Sequence, residues 1–250
     1  ECRYNFSLNS IKELWPELSL PGVHTDIGGG YNPYEQEYYF ITKPRSETVK
    51  DDTPPEKTNA YNKAKDEIPK LEKCPNLRPL MVNGEVKTET WYDYLVNHDK
   101  NKTGVREKRV GAAVTLKRIV PNDWSKVSLR VMIDAAKEAG VDIKEIEPTN
   151  EELSLPSELE LLSQKAIFQG INIRNGGIAI PYTSAELQLI GKYIHCSANW
   201  NPVEFKTVWL DGKEIKRIYG AVNAVELIGF LSRPDTGWTR AVWNMNGDKA

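Results

Sequence analysis

Residues 21–31 read Pro21-Gly22-Val23-His24-Thr25-Asp26-Ile27-Gly28-Gly29-Gly30-Tyr31, or PGVHTDIGGGY. Three successive glycines make a backbone that is costly to order. Just ahead of them stand His24, one of only three histidines in the chain, and Asp26. Leu18-Ser19-Leu20 reads as the end of a strand stopped by Pro21-Gly22, which predicts the motif on a loop leaving that strand. Loops at the carboxyl ends of strands carry sites because the sheet holds them rigidly. A neutral imidazole titrates near neutrality and can take and return a proton in one turnover, so His24 is the candidate general base. Gly28, Gly29 and Gly30, lacking Cβ atoms, let main-chain amides approach a neighbour or a bound group. Two plainer readings stand beside this one. The stretch is a tight turn whose histidine only hydrogen-bonds the loop, or His24 and Asp26 are two ligands of a metal ion in a metal-dependent hydrolase.

Working outward, the 250 residues carry a net charge of −2, and the sequence pI is about 6.1. That balance supplies no electrostatic argument for nucleic acid or a strongly anionic surface. Cys2, Cys74 and Cys196 are odd in number and lack metal-ligand spacing, so folding in a reducing compartment is the expectation. No apolar run approaches the roughly 20 residues that span a bilayer, and no signal peptide is read.

Residues 43–109 carry Pro44, Pro54, Pro55, Pro69, Pro75 and Pro79 among many charged side chains. They read as a charged, proline-rich insertion with partial order at best. His98, beside Asp99 and Lys100, reads as a solvated histidine. Trp124, Val127, Val131, Ala135 and Ala139, widened by Met132 and Ala136, predict an amphipathic helix. Asn122 or Asp123 would cap it, and Gly140 would close it. A second helix is expected from Ser157, with Glu160 completing a capping box and Leu159, Leu162, Ala166 and Ile167 facing the core. A third is expected from Thr183, boxed by Glu186, through Leu187, Ile190 and Ile194 to His195-Cys196-Ser197. His195 would then sit at a helix C-terminus, as a cap or a packed histidine, with the base role as a rival possibility. Phe205–Leu210, Asp211-Gly212 and Lys213–Tyr219 form a hairpin pattern, and Arg240–Met245 a last strand. Trp200, Trp209, Trp238 and Trp243 suit either a core or an interface, the core being preferred.

PGVHTDIGGGY resembles the histidine motif of a family of α/β-hydrolase-like proteins, the type VI secretion phospholipase effectors of the first lipase-effector family. Glu1–Phe6 is similar to the segment before that motif, Asn122–Met132 to the family's downstream helix, and Gly191–Ser197 to its late histidine-serine segment. The resemblance implies an α/β fold, the C-terminal part of a hydrolase-like domain with a hairpin-containing tail. Its divisions would be 1–42 (histidine motif), 43–109 (insertion), 110–201 (helical part) and 202–250 (β-rich tail). It implies a Ser-Asp-His triad that hydrolyses phospholipid esters, with His24 as the base and no cofactor or metal. Asp26 would anchor the loop through main-chain amides. His195 and Asp123 are the weaker site candidates.

No Gly-x-Ser-x-Gly elbow occurs in the sequence. The nucleophile and its Asp are therefore expected upstream of Glu1, and the isolated chain is expected to lack a complete catalytic set. The implied partners are a phospholipid substrate, a type VI delivery protein and an immunity protein. Peripheral membrane contact is allowed, and nucleic acid is not a partner. The implied itinerary runs from the bacterial cytoplasm to the periplasm of a target cell. The alternative is a non-catalytic module that binds a delivery, immunity or membrane partner.

Overall fold

The structure, a computed structural model, describes residues 8–94, 107–147, 149–210, 212–219 and 242–249. Cys2, His98, Trp238 and the Glu1–Phe6 segment lie outside the described residues.

The spine is one long strand, β5 (Glu107–Pro121), that sequence periodicity did not single out. Its Val, Thr and Ile residues favour strand, but Gly111-Ala112-Ala113 and the buried Lys108 and Arg118 break the alternation that would announce it. β4 (Glu85–Tyr94) lies antiparallel along one edge of β5. β2 (Tyr34–Phe40) and β3 (Arg45–Lys50) follow each other along the other edge, also antiparallel. The short break between them is bridged, because the Ile41 amide donates to the Val114 carbonyl and the Val114 amide donates to Thr42 Oγ1. The small residues of β5 let other groups come close. A Cβ on Gly111 would lie 2.4 Å from the Trp91 indole, and Ala112 meets Ala60 and Ala64 of α2 (Asn59–Lys65).

The expectation of partial order in 43–109 does not hold over its described parts, residues 43–94 and 107–109. β3, α2, α3 (Ile68–Leu71), α4 (Arg78–Val82) and β4 all fall there. Leu77, Leu80, Met81 and Trp91 are buried in the cores on the two faces of β5. The prolines that suggested breakage instead open helices: Pro55, Pro69 and Pro79 occupy first-turn positions, where a missing N–H costs nothing.

The helical layer follows the sequence more closely. α5 (Trp124–Glu138) buries Trp124, Val127 and Val131, while Met132 faces solvent. Gly140 adopts φ +85 just past its end, as a terminating glycine should. α6 (Glu160–Arg174) begins after a 3-10 turn at Ser157–Leu159, so the predicted Ser157–Glu160 capping box is replaced by that turn. Leu159, Leu162 and Ala166 are buried as expected. α7 (Ser184–Ile190) starts with the predicted Thr183–Glu186 capping box. It ends at Ile190, however, and does not reach His195. A Cβ on Gly191 would lie 2.4 Å from the Pro79 carbonyl oxygen, so the chain turns there against α4.

β6 (Glu204–Leu210) and β7 (Lys213–Tyr219) form the predicted hairpin, with Gly212 at φ +74. Trp209 on it is 74% exposed, against the preference for a core position. β8 (Val242–Trp243) pairs in parallel with β1 (Leu8–Asn9). The described protein is thus a mixture of helices and largely antiparallel sheet.

Candidate functional site

Leu18-Ser19-Leu20 is not a strand, and the motif is not a simple loop. Residues His24–Gly28 form a short helix, α1, with Val23 at its N-cap. The physical reason lies in Asp26. Its carboxylate reaches back to accept the Val23 amide at 3.0 Å, the reciprocal half of a capping box, and so closes the first turn. Gly29 then takes the left-handed conformation that ends the helix, with φ +78.

α1 rests on the start of α5. Trp124 Nε1 donates to the Pro21 carbonyl at 2.7 Å, Ser128 Oγ donates to the Ile27 carbonyl, and Asn122 Nδ2 donates to the Tyr31 carbonyl at 2.9 Å. Three side chains of one helix entry thus hold the beginning, middle and end of PGVHTDIGGGY.

The opposite side of the motif grips His195. The Asp26 carboxylate accepts the His195 amide at 3.1 Å and lies 2.6 Å from His195 Nδ1. A carboxylate already accepting two main-chain N–H groups accepts the ring proton as well, which places that proton on Nδ1. Tyr31 stacks on the same imidazole, with centroids 3.5 Å apart and planes at 16°. His195 is 3% exposed, and its Nε2 has no hydrogen-bond partner. The expectation of a helix-end histidine is therefore corrected. His195 is a packed histidine, held by Asp26 in the middle of the motif and by Tyr31 at its end.

A second buried pair completes the frame. Glu37 and Arg118 stand directly opposite on β2 and β5, and Arg118 Nε donates to Glu37 Oε2 at 2.8 Å. Arg118 also donates to the Gly191 carbonyl at 2.8 Å and to the Ile194 carbonyl, while Glu37 Oε1 accepts the Cys196 amide at 2.7 Å. The turn 191–196 is thus fixed by Arg118, Asp26 and Glu37 in succession. Both charges are almost wholly buried and are satisfied by each other and by the main chain.

His24 is exposed at the first position of α1, with Nε2 2.9 Å from Thr25 Oγ1. Asp26, two residues on, points inward to Val23 and His195, so its oxygens are engaged away from the His24 ring. Asp123 pairs with Lys126 at 2.6 Å at the entry to α5. Of the glycines, Gly28 faces open space, and a Cβ on Gly30 would lie 2.8 Å from Thr25 Cγ2. Among the described residues no group of three or more His, Cys, Asp or Glu side chains could hold a metal ion. Beside the motif lies a cleft of about 390 Å³, walled by Val23, Pro79, Leu80, Leu187 and Ile194, with no Asp, Glu, Lys or Arg in its lining. Glu37 and Arg118 carried no signal in the sequence except as charges inside strand-forming stretches.

No protein-family model matches the chain, and no curated protein matches it. Among described residues no helix is long and apolar enough to cross a membrane. A solved structure does match: the Tle1 effector bound to the VgrG spike from the Type 6 secretion system. It is 44% identical with a TM-score of 0.80, and the match covers 98% of this chain and 48% of that one. The chain is therefore similar along nearly its whole length to about half of a type VI secretion effector.

Proposed function

We propose that this chain is the histidine-bearing part of a type VI secretion effector that hydrolyses phospholipid esters, with His24 as the general base. The observation that carries the reading is the presentation of His24. An exposed imidazole stands on a helix whose flanking residues on both sides are held by hydrogen bonds, one part-buried and one buried. A general base needs this combination of an accessible ring and a fixed carrier. The nucleophilic Ser and the triad Asp come from the rest of the longer effector. The Ser attacks the acyl carbon as His24 takes its proton, and His24 then returns the proton to the leaving alcohol. The cleft beside Val23, lined mostly by apolar residues together with His195, suits an acyl chain rather than a headgroup. Similarity to an effector solved on its spike supports delivery by a spike protein, and an immunity protein and a periplasmic target belong to the same reading.

The test is fatty-acid release from phosphatidylethanolamine vesicles by the longer effector. His24→Ala should lower turnover by at least about 10²–10⁴-fold, the usual contribution of general acid–base catalysis. Because the ring is exposed, circular dichroism and melting should be unchanged. A His24→Ala protein that keeps its turnover overturns the proposal.

A further inference from the structure

Two clefts meet at the turn that follows α7. One is the largely apolar cleft beside Val23. The other, of about 320 Å³, lies along β2, and His195, Cys196 and Ser197 line both. His195 borders them in a defined state. Its Nδ1 proton goes to the Asp26 carboxylate, which leaves Nε2 as an acceptor. That Nε2 is buried without a partner, on a residue only 3% exposed. An imidazole oriented by a carboxylate, with its far nitrogen unspent, is the arrangement of a base. His195 is thus the rival of His24 for the serine proton, and the boundary between the clefts is a place for an ester.

The two clefts differ in chemistry. Strand alternation puts Glu35, Glu37 and Tyr39 on one face of β2, and all three line the second cleft together with Tyr31 and Asn199. Arg118 neutralises Glu37. Glu35 accepts from Asn32 Nδ2 at 2.6 Å and has no cation partner among the described residues. Burial first, and then the Glu37 carboxylate, push the Tyr39 hydroxyl up, so it stays uncharged near neutrality. No Lys or Arg lines this cleft. Its lining therefore carries one unbalanced carboxylate beside two phenol rings, a combination that attracts a cation and repels an anion.

We propose that the second cleft is a headgroup subsite that takes the positively charged amine of a zwitterionic phospholipid, with Glu35 as its charge partner, while the acyl chain occupies the apolar cleft. This rests on the phospholipid-esterase reading and not on which of the two histidines takes the proton.

The test compares kcat/KM of the longer effector on short-chain phosphatidylethanolamine and phosphatidylglycerol. Both are kept as dissolved monomers, so adsorption to a charged interface plays no part. The parent should prefer the ethanolamine lipid by about fivefold, the upper worth of a partly exposed ion pair. Glu35→Gln should bring the two lipids to within about twofold of each other, because the pair is gone. Glu35→Lys should reverse the preference. Only the ratio within each variant is read, so a fall in both rates does not disturb it. If the lysine variant does not fold, the glutamine variant decides. A parent without preference overturns the subsite, as does a Glu35→Gln protein that keeps the parental ratio. In both cases hydrolysis of the two lipids leaves the esterase reading standing. If the effector releases fatty acid from neither lipid, the esterase reading fails and the subsite falls with it.

Discussion

Asp26 Oδ1 lies 2.6 Å from His195 Nδ1 across 169 residues of sequence, inside the protein. That bond joins the first helix after the motif's Pro-Gly to the turn that follows the last helix of the helical layer. Around it the carboxylate also accepts two main-chain N–H groups.

Removing the carboxylate should therefore cost stability in its own right. Asp26→Ala strands the Val23 amide, the His195 amide and the His195 ring proton in a buried site. Each stranded donor costs about 1–3 kcal/mol, so with partial relaxation we expect a loss of about 2–4 kcal/mol in urea unfolding. Asp26→Asn keeps the volume and one oxygen and should lose less than half as much. An Asp26→Asn protein as stable as the parent would mean that the carboxylate acts only as filler.

Glu37 and Arg118 make a stricter case. Arg118→Leu leaves a buried Glu37 without its cation and should cost about 3–5 kcal/mol. Replacing a buried pair by two apolar residues is often nearly neutral. Here the double variant Glu37→Leu/Arg118→Leu should stay clearly destabilised, because the Gly191 and Ile194 carbonyls and the Cys196 amide lose their partners too. A double variant as stable as the parent would show that those main-chain bonds contribute little.

The helical layer was legible because its signals are local. The spacing of Trp124, Val127 and Val131, the Thr183–Glu186 box and Gly140 each specify structure within one or two turns. The sheet was not legible for the converse reason. β2, β3 and β4 acquire their meaning only from β5, whose small residues are explained by Trp91, Ala60 and Ala64 in other elements. Prolines in 43–94 pointed to disorder when read alone, yet three of them start helices packed on that sheet. At the site, His24 and Asp26 stood out as residue types. The inward turn of Asp26 and its grip on His195 are long-range facts that no spacing encodes.

Acid should loosen the approach to the 191–196 turn through Glu186. Hydrogen bonds first from Lys165 and then from the Thr183 amide hold its carboxyl below the usual carboxylate range. A folded-state pKa below the unfolded value means that its stabilising contribution is complete above the unfolded pKa of about 4.3 and is lost as pH falls through the folded value. The parent should therefore lose more stability between pH 7 and about pH 3 than Glu186→Gln, which has no proton to take up at that position. Urea midpoints at the two pH values check this. Parallel acid profiles for the two proteins would exclude Glu186 as a contributor.

The glycine triplet separates into three different requirements, and alanine substitution one at a time should reveal them. Gly28 lies within α1, has ordinary φ, and faces open space, so Gly28→Ala should stabilise by about 0.4–1 kcal/mol through a less flexible unfolded chain. Gly29 has φ +78 at the helix end, where a side chain meets only ordinary contacts but the backbone is strained, so Gly29→Ala should destabilise by roughly 1–2 kcal/mol. Gly30 has no such conformational demand. Its added Cβ would sit 2.8 Å from Thr25 Cγ2, one atom away from the hydroxyl that contacts His24. Relief of that clash displaces Thr25, so Gly30→Ala should lower turnover in the longer effector more than it lowers the melting temperature. Thermal melts and fatty-acid release on the three variants distinguish these outcomes. If all three alanines destabilise alike, the triplet serves flexibility alone, and the separate assignments to helix, helix end and Thr25 contact are wrong.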